Sequence, residues 1–109
     1  MKSIITDLAK EQIRQIAKYI RKEFGKDRRD KFMKEVRQTR RLIESSPNIG
    51  PVEPLLADRA VMYRSYVMNQ LDKIVYRIDG DIIYIVAFWD VRREPKQLVE
   101  NITQTIDGQ

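Results

Sequence analysis

The chain begins with a short apolar stretch, Ser3-Ile4-Ile5, followed by Thr6-Asp7, either of which can cap a helix. Apolar side chains then fall at Ile13, Ile16, Ala17, Ile20 and Phe24, the spacing of a one-sided helical stripe. Gly25 is placed as the C-terminal cap, so a first helix is expected from about Asp7 to Phe24. A second is expected from about Asp27 to Glu44, with Phe32, Val36, Thr39 and Ile43 on its inner face. The connection, about three residues, forces the two into an antiparallel hairpin. Ser45-Ser46-Pro47 ends the second helix, and Asn48 to Pro54 reads as loop from its Gly and Pro content.

From Ala60 the period changes to two. Val61, Tyr63, Ser65 and Val67 alternate with Met62, Arg64, Tyr66 and Met68, and Ile74, Tyr76 and Ile78 alternate with Lys73, Val75 and Arg77. Asp79-Gly80 marks a tight hairpin before Ile82 to Val91, a run apolar on both faces and therefore a central strand. The expected fold is α+β: a short N-terminal strand, an antiparallel helical hairpin, then a three-stranded antiparallel meander with helices on one face. Function is then expected on the other face. Residues 1–95 read as one domain and 96–109 as a tail, in which Leu98, Val99, Ile102 and Ile106 are spaced for a short helix.

Composition narrows the chemistry. The 109 residues include no Cys and no His, which excludes thiolate nucleophiles, imidazole acid–base chemistry and zinc sites built on those ligands. No apolar run reaches a membrane span and the N-terminus lacks a signal-peptide core, so the expected compartment is the cytoplasm. The net charge is +5, and it is unevenly placed. Residues 1–50 hold 14 Lys/Arg against 7 Asp/Glu, and residues 51–109 hold 7 against 9. Lys34, Arg37 and Arg41 step by three and four along one face of the second helix, a stripe suited to an acidic protein partner or to solubility.

In the sheet half, Arg64, Lys73, Arg77, Arg92 and Arg93 are interleaved with Tyr63, Tyr66, Tyr76, Tyr84 and Trp89. Cations with stacking rings suit a nucleic-acid surface, and the alternative is that the rings are core. The candidate catalytic set is Arg64, Lys73, Arg92 and Arg93 for phosphate, with Asp90 or a tyrosine for the proton. Arg77, Tyr63 and Tyr66 are candidates for target binding.

Thr6-Asp7-Leu8-Ala9, Ile16 to Ile20, Ser46 to Gly50, Tyr63 to Tyr66, Asp72 to Asp81, Ile82 to Val86 and Val91 to Pro95 together resemble the toxins of the RelE/ParE superfamily of bacterial toxin–antitoxin systems, over about residues 4–95. The resemblance implies a growth-inhibiting toxin neutralised by a cognate acidic antitoxin that wraps it, with no cofactor. RelE-like members cleave mRNA on the ribosome without metal; ParE-like members inhibit DNA gyrase. Lys73 stands where an Arg is common, and Arg92 keeps a second basic position. The Tyr or His expected shortly after Arg92 is missing from Pro95 to Leu98, and Asp90 replaces a frequent His. Gyrase inhibition and mRNA cleavage both remain open, beside a non-toxic nucleic-acid-binding or structural module that keeps the fold. A homo-oligomer is a further expectation.

Overall fold

The computed structural model describes residues 1–91, 99, 100 and 102. Its elements are β1 (Lys2–Ile5), α1 (Asp7–Phe24), α2 (Lys26–Ser45), a 3-10 turn (Pro54–Leu56), β2 (Tyr63–Val67), β3 (Asp72–Asp79) and β4 (Ile82–Asp90). The expected α+β architecture is present, with the sheet in the order β1-β4-β3-β2. The meander β2-β3-β4 is antiparallel, and β1 joins β4 in parallel, Ile5 opposite Ile85. β4 is therefore central, which explains why Ile83 and Ile85 to Trp89 are buried without alternation.

Thr6 caps α1, accepting from the Ala9 N–H. Gly25 alone separates the helices, at φ 93° and ψ 174°, a conformation open to glycine and costly for other residues. The connection is thus shorter than the three residues expected. α2 buries Phe32, Val36, Thr39 and Ile43, the four positions its periodicity selects. On α1 the stripe is less complete: Phe24, its last residue, is 56% exposed. The β3–β4 hairpin turns on Gly80-Asp81, one residue later than the Asp79-Gly80 pair suggested. Asp79 pairs with Ile82, and Gly80 takes φ 61° at the first central position.

Helices cover one face, where Ala9, Ile13, Phe32, Val36 and Ile43 meet Ile74, Tyr76, Ile83, Ile85 and Phe88. Phe32 and Phe88 pack edge to face at 5.7 Å. The other face, where function is expected, is largely covered too. Leu56, Tyr63, Val75, Val86, Ala87, Trp89 and Ile102 form a second core there. A register shift between Val75 and Tyr76 leaves Val86 without a partner on β3, so Val86 and Ala87 both reach this core. Val99, Glu100 and Ile102 are helical, and Ile102 is fully buried.

Candidate functional site

Period-two geometry and the strand register sort the candidate residues between the two faces. Val67 lies opposite Lys73, Ser65 opposite Val75 and Tyr63 opposite Arg77, all on the face away from the helices. Arg64 lies opposite Tyr76, and Asp90 opposite Asp72, on the helix face. Arg64 and Asp90 are therefore separated from Lys73 by the sheet itself. They do not form one catalytic cluster.

Each of these cations has a local task. Lys73 Nζ donates to both carboxylate oxygens of Glu53, at 2.8 and 2.9 Å. Glu53 is 1% exposed, and its Oε1 also accepts from the Leu55 N–H that opens the 3-10 turn. Burial raises the Glu53 pKa, but hydrogen bonds from Lys73 and Ser65, with the charge of Lys73, outweigh it and hold the carboxyl below its usual range. Lys73 thus pins Glu53 and the turn that carries Leu56 over the second core. Two of the donors of Lys73, expected to bind phosphate, are directed at a buried carboxylate in this geometry.

Arg64 Nη1 donates to the Gly50 carbonyl at 2.9 Å. The Gly50 N–H donates to the Tyr76 hydroxyl at 3.0 Å, and that hydroxyl donates to the Pro47 carbonyl at 2.7 Å. Burial pushes the Tyr76 phenol up, against the opposing Gly50 hydrogen bond and Arg64 charge. A Cβ on Gly50 would lie 2.5 Å from the Ser65 carbonyl oxygen, so only glycine fits between β2 and the tyrosine. Arg64 therefore serves to lock the 47–50 loop.

Arg77 lies 4.3 Å above the Tyr84 ring and 3.6 Å from Asp79, a half-buried stack on the far face. Tyr63, a candidate for target binding, is 2% exposed and belongs to the second core. Tyr66 is half-buried against the helix-side core. Trp89 and Tyr76 are buried as well, so most of the interleaved aromatics are packing groups. Arg92 and Arg93 lie outside the described residues. Lys34, Arg37 and Arg41 are exposed on the side of α2 opposite its core face, and among the described residues none makes an ion pair.

An open groove of about 680 Å³ lies between the helical hairpin and the end of the sheet. Gln12, Ile16, Tyr19, Ile20 and Phe24 of α1 form one wall. Arg28, Lys31 and Glu35 of α2 form another, and Leu71, Asp72 and Asp90 close the sheet end. Gln12 is buried, and its Oε1 accepts from the Phe88 N–H at 2.8 Å, standing in for the strand that β4 lacks past Ile85. At the hairpin end Tyr19 and Phe24 pack edge to face at 6.4 Å, with the Arg28 guanidinium 5.3 Å from the Phe24 ring. Sequence reasoning missed this site by assigning Phe24 to the core stripe and passing over Gln12, Tyr19, Arg28 and Lys31. A signal was present: Arg21, Lys22, Phe24, Lys26, Arg28 and Arg29 cluster around the Gly25 break.

Residues 4–95 match the family described as the ParE toxin of the type II toxin-antitoxin system, parDE. The chain belongs to the ParE toxin family. A solved structure, the chromosomal ParDE toxin–antitoxin system from P. aeruginosa, shares the fold with a TM-score of 0.69 at 16% identity, covering 84% of this chain and 96% of that one. Among curated proteins no relative matches. As a ParE-family member the chain is a type II toxin, which implies an antitoxin partner. Among the described residues no helix is long and apolar enough to cross a membrane.

Proposed function

We propose that this toxin arrests growth by binding DNA gyrase and not by cleaving mRNA. The separation of Lys73 from Arg64 and Asp90 by the sheet carries this reading, together with the Lys73–Glu53 ion pair. Phosphoryl-transfer catalysis needs cations and a proton carrier converging on one phosphate. Here Lys73 and Arg64 are used to hold loops. A protein-binding inhibitor needs no such convergence, only a rigid surface. The ParE family match favours the same side of the choice.

The exposed stripe Lys34, Arg37 and Arg41 supports capture of an acidic antitoxin, because unpaired surface cations accelerate association with an acidic partner. Purified chain at micromolar concentration is expected to block gyrase supercoiling, and its expression without antitoxin is expected to arrest growth with mRNA intact. New mRNA 5′ ends within ribosome-covered codons, with supercoiling untouched, would replace this reading with the RelE-like one. Harmless expression would favour the non-toxic module.

A further inference from the structure

The positive charge of the chain resides in residues 1–50, with 14 Lys/Arg against 7 Asp/Glu, and the outward rows of α1 and α2 hold much of it. We infer that this outward face binds the phosphate backbone of duplex DNA without reading its sequence. Its setting rests on the gyrase reading, in which the duplex is DNA that the enzyme holds.

Both helices bury their inner stripes against the same side of the sheet, so their outer rows share one surface. On α1 that surface presents Lys10, Lys18, Arg21 and Lys22, and on α2 it presents Lys31, Lys34, Arg37 and Arg41, all exposed. Among the described residues none of these cations makes an ion pair. Of the carboxylates nearby, Glu11 is bound to Arg14 and Asp30 to Lys26 and Arg29. Asp7, Glu23 and Asp27 stand at helix ends, so the middle of the face is cationic throughout. Lys10 to Lys22 covers about 18 Å at ~1.5 Å per residue, and packed helix axes lie about 8–10 Å apart. The cations therefore form two rows along a patch that matches roughly five phosphates of one DNA strand, at ~3.4 Å per nucleotide.

What the face lacks narrows the partner further. Glu11, Arg14, Gln15, Asp30 and Gln38 fill out the outer rows, which hold no apolar side chain. A bound protein needs an apolar centre inside a polar rim, whereas a phosphate backbone needs cations alone. Steering of an acidic antitoxin acts at a distance through the same field and requires no such contact. Single-stranded nucleic acid is gripped by rings on which its bases stack. The nearest rings, Tyr19 and Phe24, line the groove and not the outer rows. Base edges are read by side chains fixed in a DNA groove, and exposed lysines and arginines on a helical surface position the backbone instead. The face therefore suits a duplex of any sequence.

The test titrates the full chain into two fluorescent duplexes of about 20 base pairs and unrelated sequence, at about 50 mM salt and upwards. A single-stranded RNA of the same length and a poly-glutamate chain of similar charge are measured beside them. Both duplexes are expected to bind within about twofold of each other, with Kd on the order of 10⁻⁴–10⁻⁶ M, and more tightly than the RNA or poly-glutamate. Lys18→Ala with Lys22→Ala, and Lys34→Ala with Arg37→Ala and Arg41→Ala, alter exposed side chains and are expected to keep the native circular dichroism. Each set is expected to weaken duplex binding at least about fivefold and to lower the salt slope by about one per cation removed. Lys2→Glu on β1 removes as much charge as the first set and is expected to leave duplex binding within about twofold. Absence of duplex binding at the lowest salt overturns the inference. So does equal weakening by Lys2→Glu, or tighter binding of the RNA or poly-glutamate. Gyrase inhibition by the native chain is measured separately, so its failure removes the gyrase reading and leaves duplex binding to be judged on its own.

Discussion

The two faces of the sheet are closed by different means, and the contrast explains where sequence reasoning held. The helix face is covered by two regular elements whose apolar stripes repeat every three to four residues, and its core is almost wholly hydrocarbon. The far face is covered by a 3-10 turn and by Val99 and Ile102, with a buried ion pair at its margin. A regular element finds its place through many equivalent contacts. An irregular one needs a few specific polar anchors, and Glu53–Lys73 is that anchor here. A charged strand residue that looks poised for chemistry is thereby turned into a structural one.

The comparison is broken or sharpened most strongly at Lys73. Lys73→Met leaves the buried Glu53 carboxylate uncompensated and is expected to cost about 3–5 kcal/mol in urea unfolding. Removing both charges, as Glu53→Gln with Lys73→Met, is expected to cost clearly less than the sum of the two single changes. A Lys73→Met protein of unchanged stability that had lost toxicity would restore Lys73 as a functional residue. The pair also predicts an acid dependence. The folded pKa of Glu53 is lowered, so its stabilisation is present above the unfolded value and lost as pH falls through the folded one. The stability gap between the native chain and Glu53→Gln is therefore expected to narrow from pH 6 towards pH 3.

The next effect belongs to the helix face. Gly50→Ala forces a methyl against the Ser65 carbonyl and is expected to cost about 2–3 kcal/mol, with Arg64 and Tyr76 losing their shared loop. Tyr76→Phe leaves the Gly50 N–H and the Pro47 carbonyl without their partner, a loss of about 1–2 kcal/mol by the same measurement. Because burial raises the phenol's pKa, its contribution is complete below the unfolded value near 10 and is lost as pH rises through the folded one. The smallest effect is expected at Arg77→Gln, about 0.5–1 kcal/mol from the stack on Tyr84. A loss of toxicity there without loss of stability would mark the far face as a target contact.

Helix and strand identities were legible because burial on one side imposes a period on the sequence: Phe32, Val36, Thr39 and Ile43 gave α2 its inner face, and the alternation of Ile74, Tyr76 and Ile78 with Lys73, Val75 and Arg77 gave β3 both of its faces. The unbroken apolar run of β4 likewise carried its central position. The local sequence around Gly25 dictated the reversal of the hairpin, since few residues other than glycine accept its backbone angles.

Partnership across the fold was not legible. Lys73 and Glu53 are 20 residues apart and Gln12 and Phe88 are 76 apart, and nothing local to either residue names the other. The side of the sheet on which Arg64 and Lys73 point follows from parity along each strand, but their separation by the sheet also needs the register between strands. Phe24 looked like core by spacing, and the tertiary structure leaves it exposed beside Tyr19 and Arg28. By itself the sequence determined the elements, their buried faces and the basic character of the hairpin, because those depend on near neighbours along the chain. The tertiary structure decided which charges are spent on holding loops and which remain to meet a partner, because that depends on contacts between residues far apart in sequence.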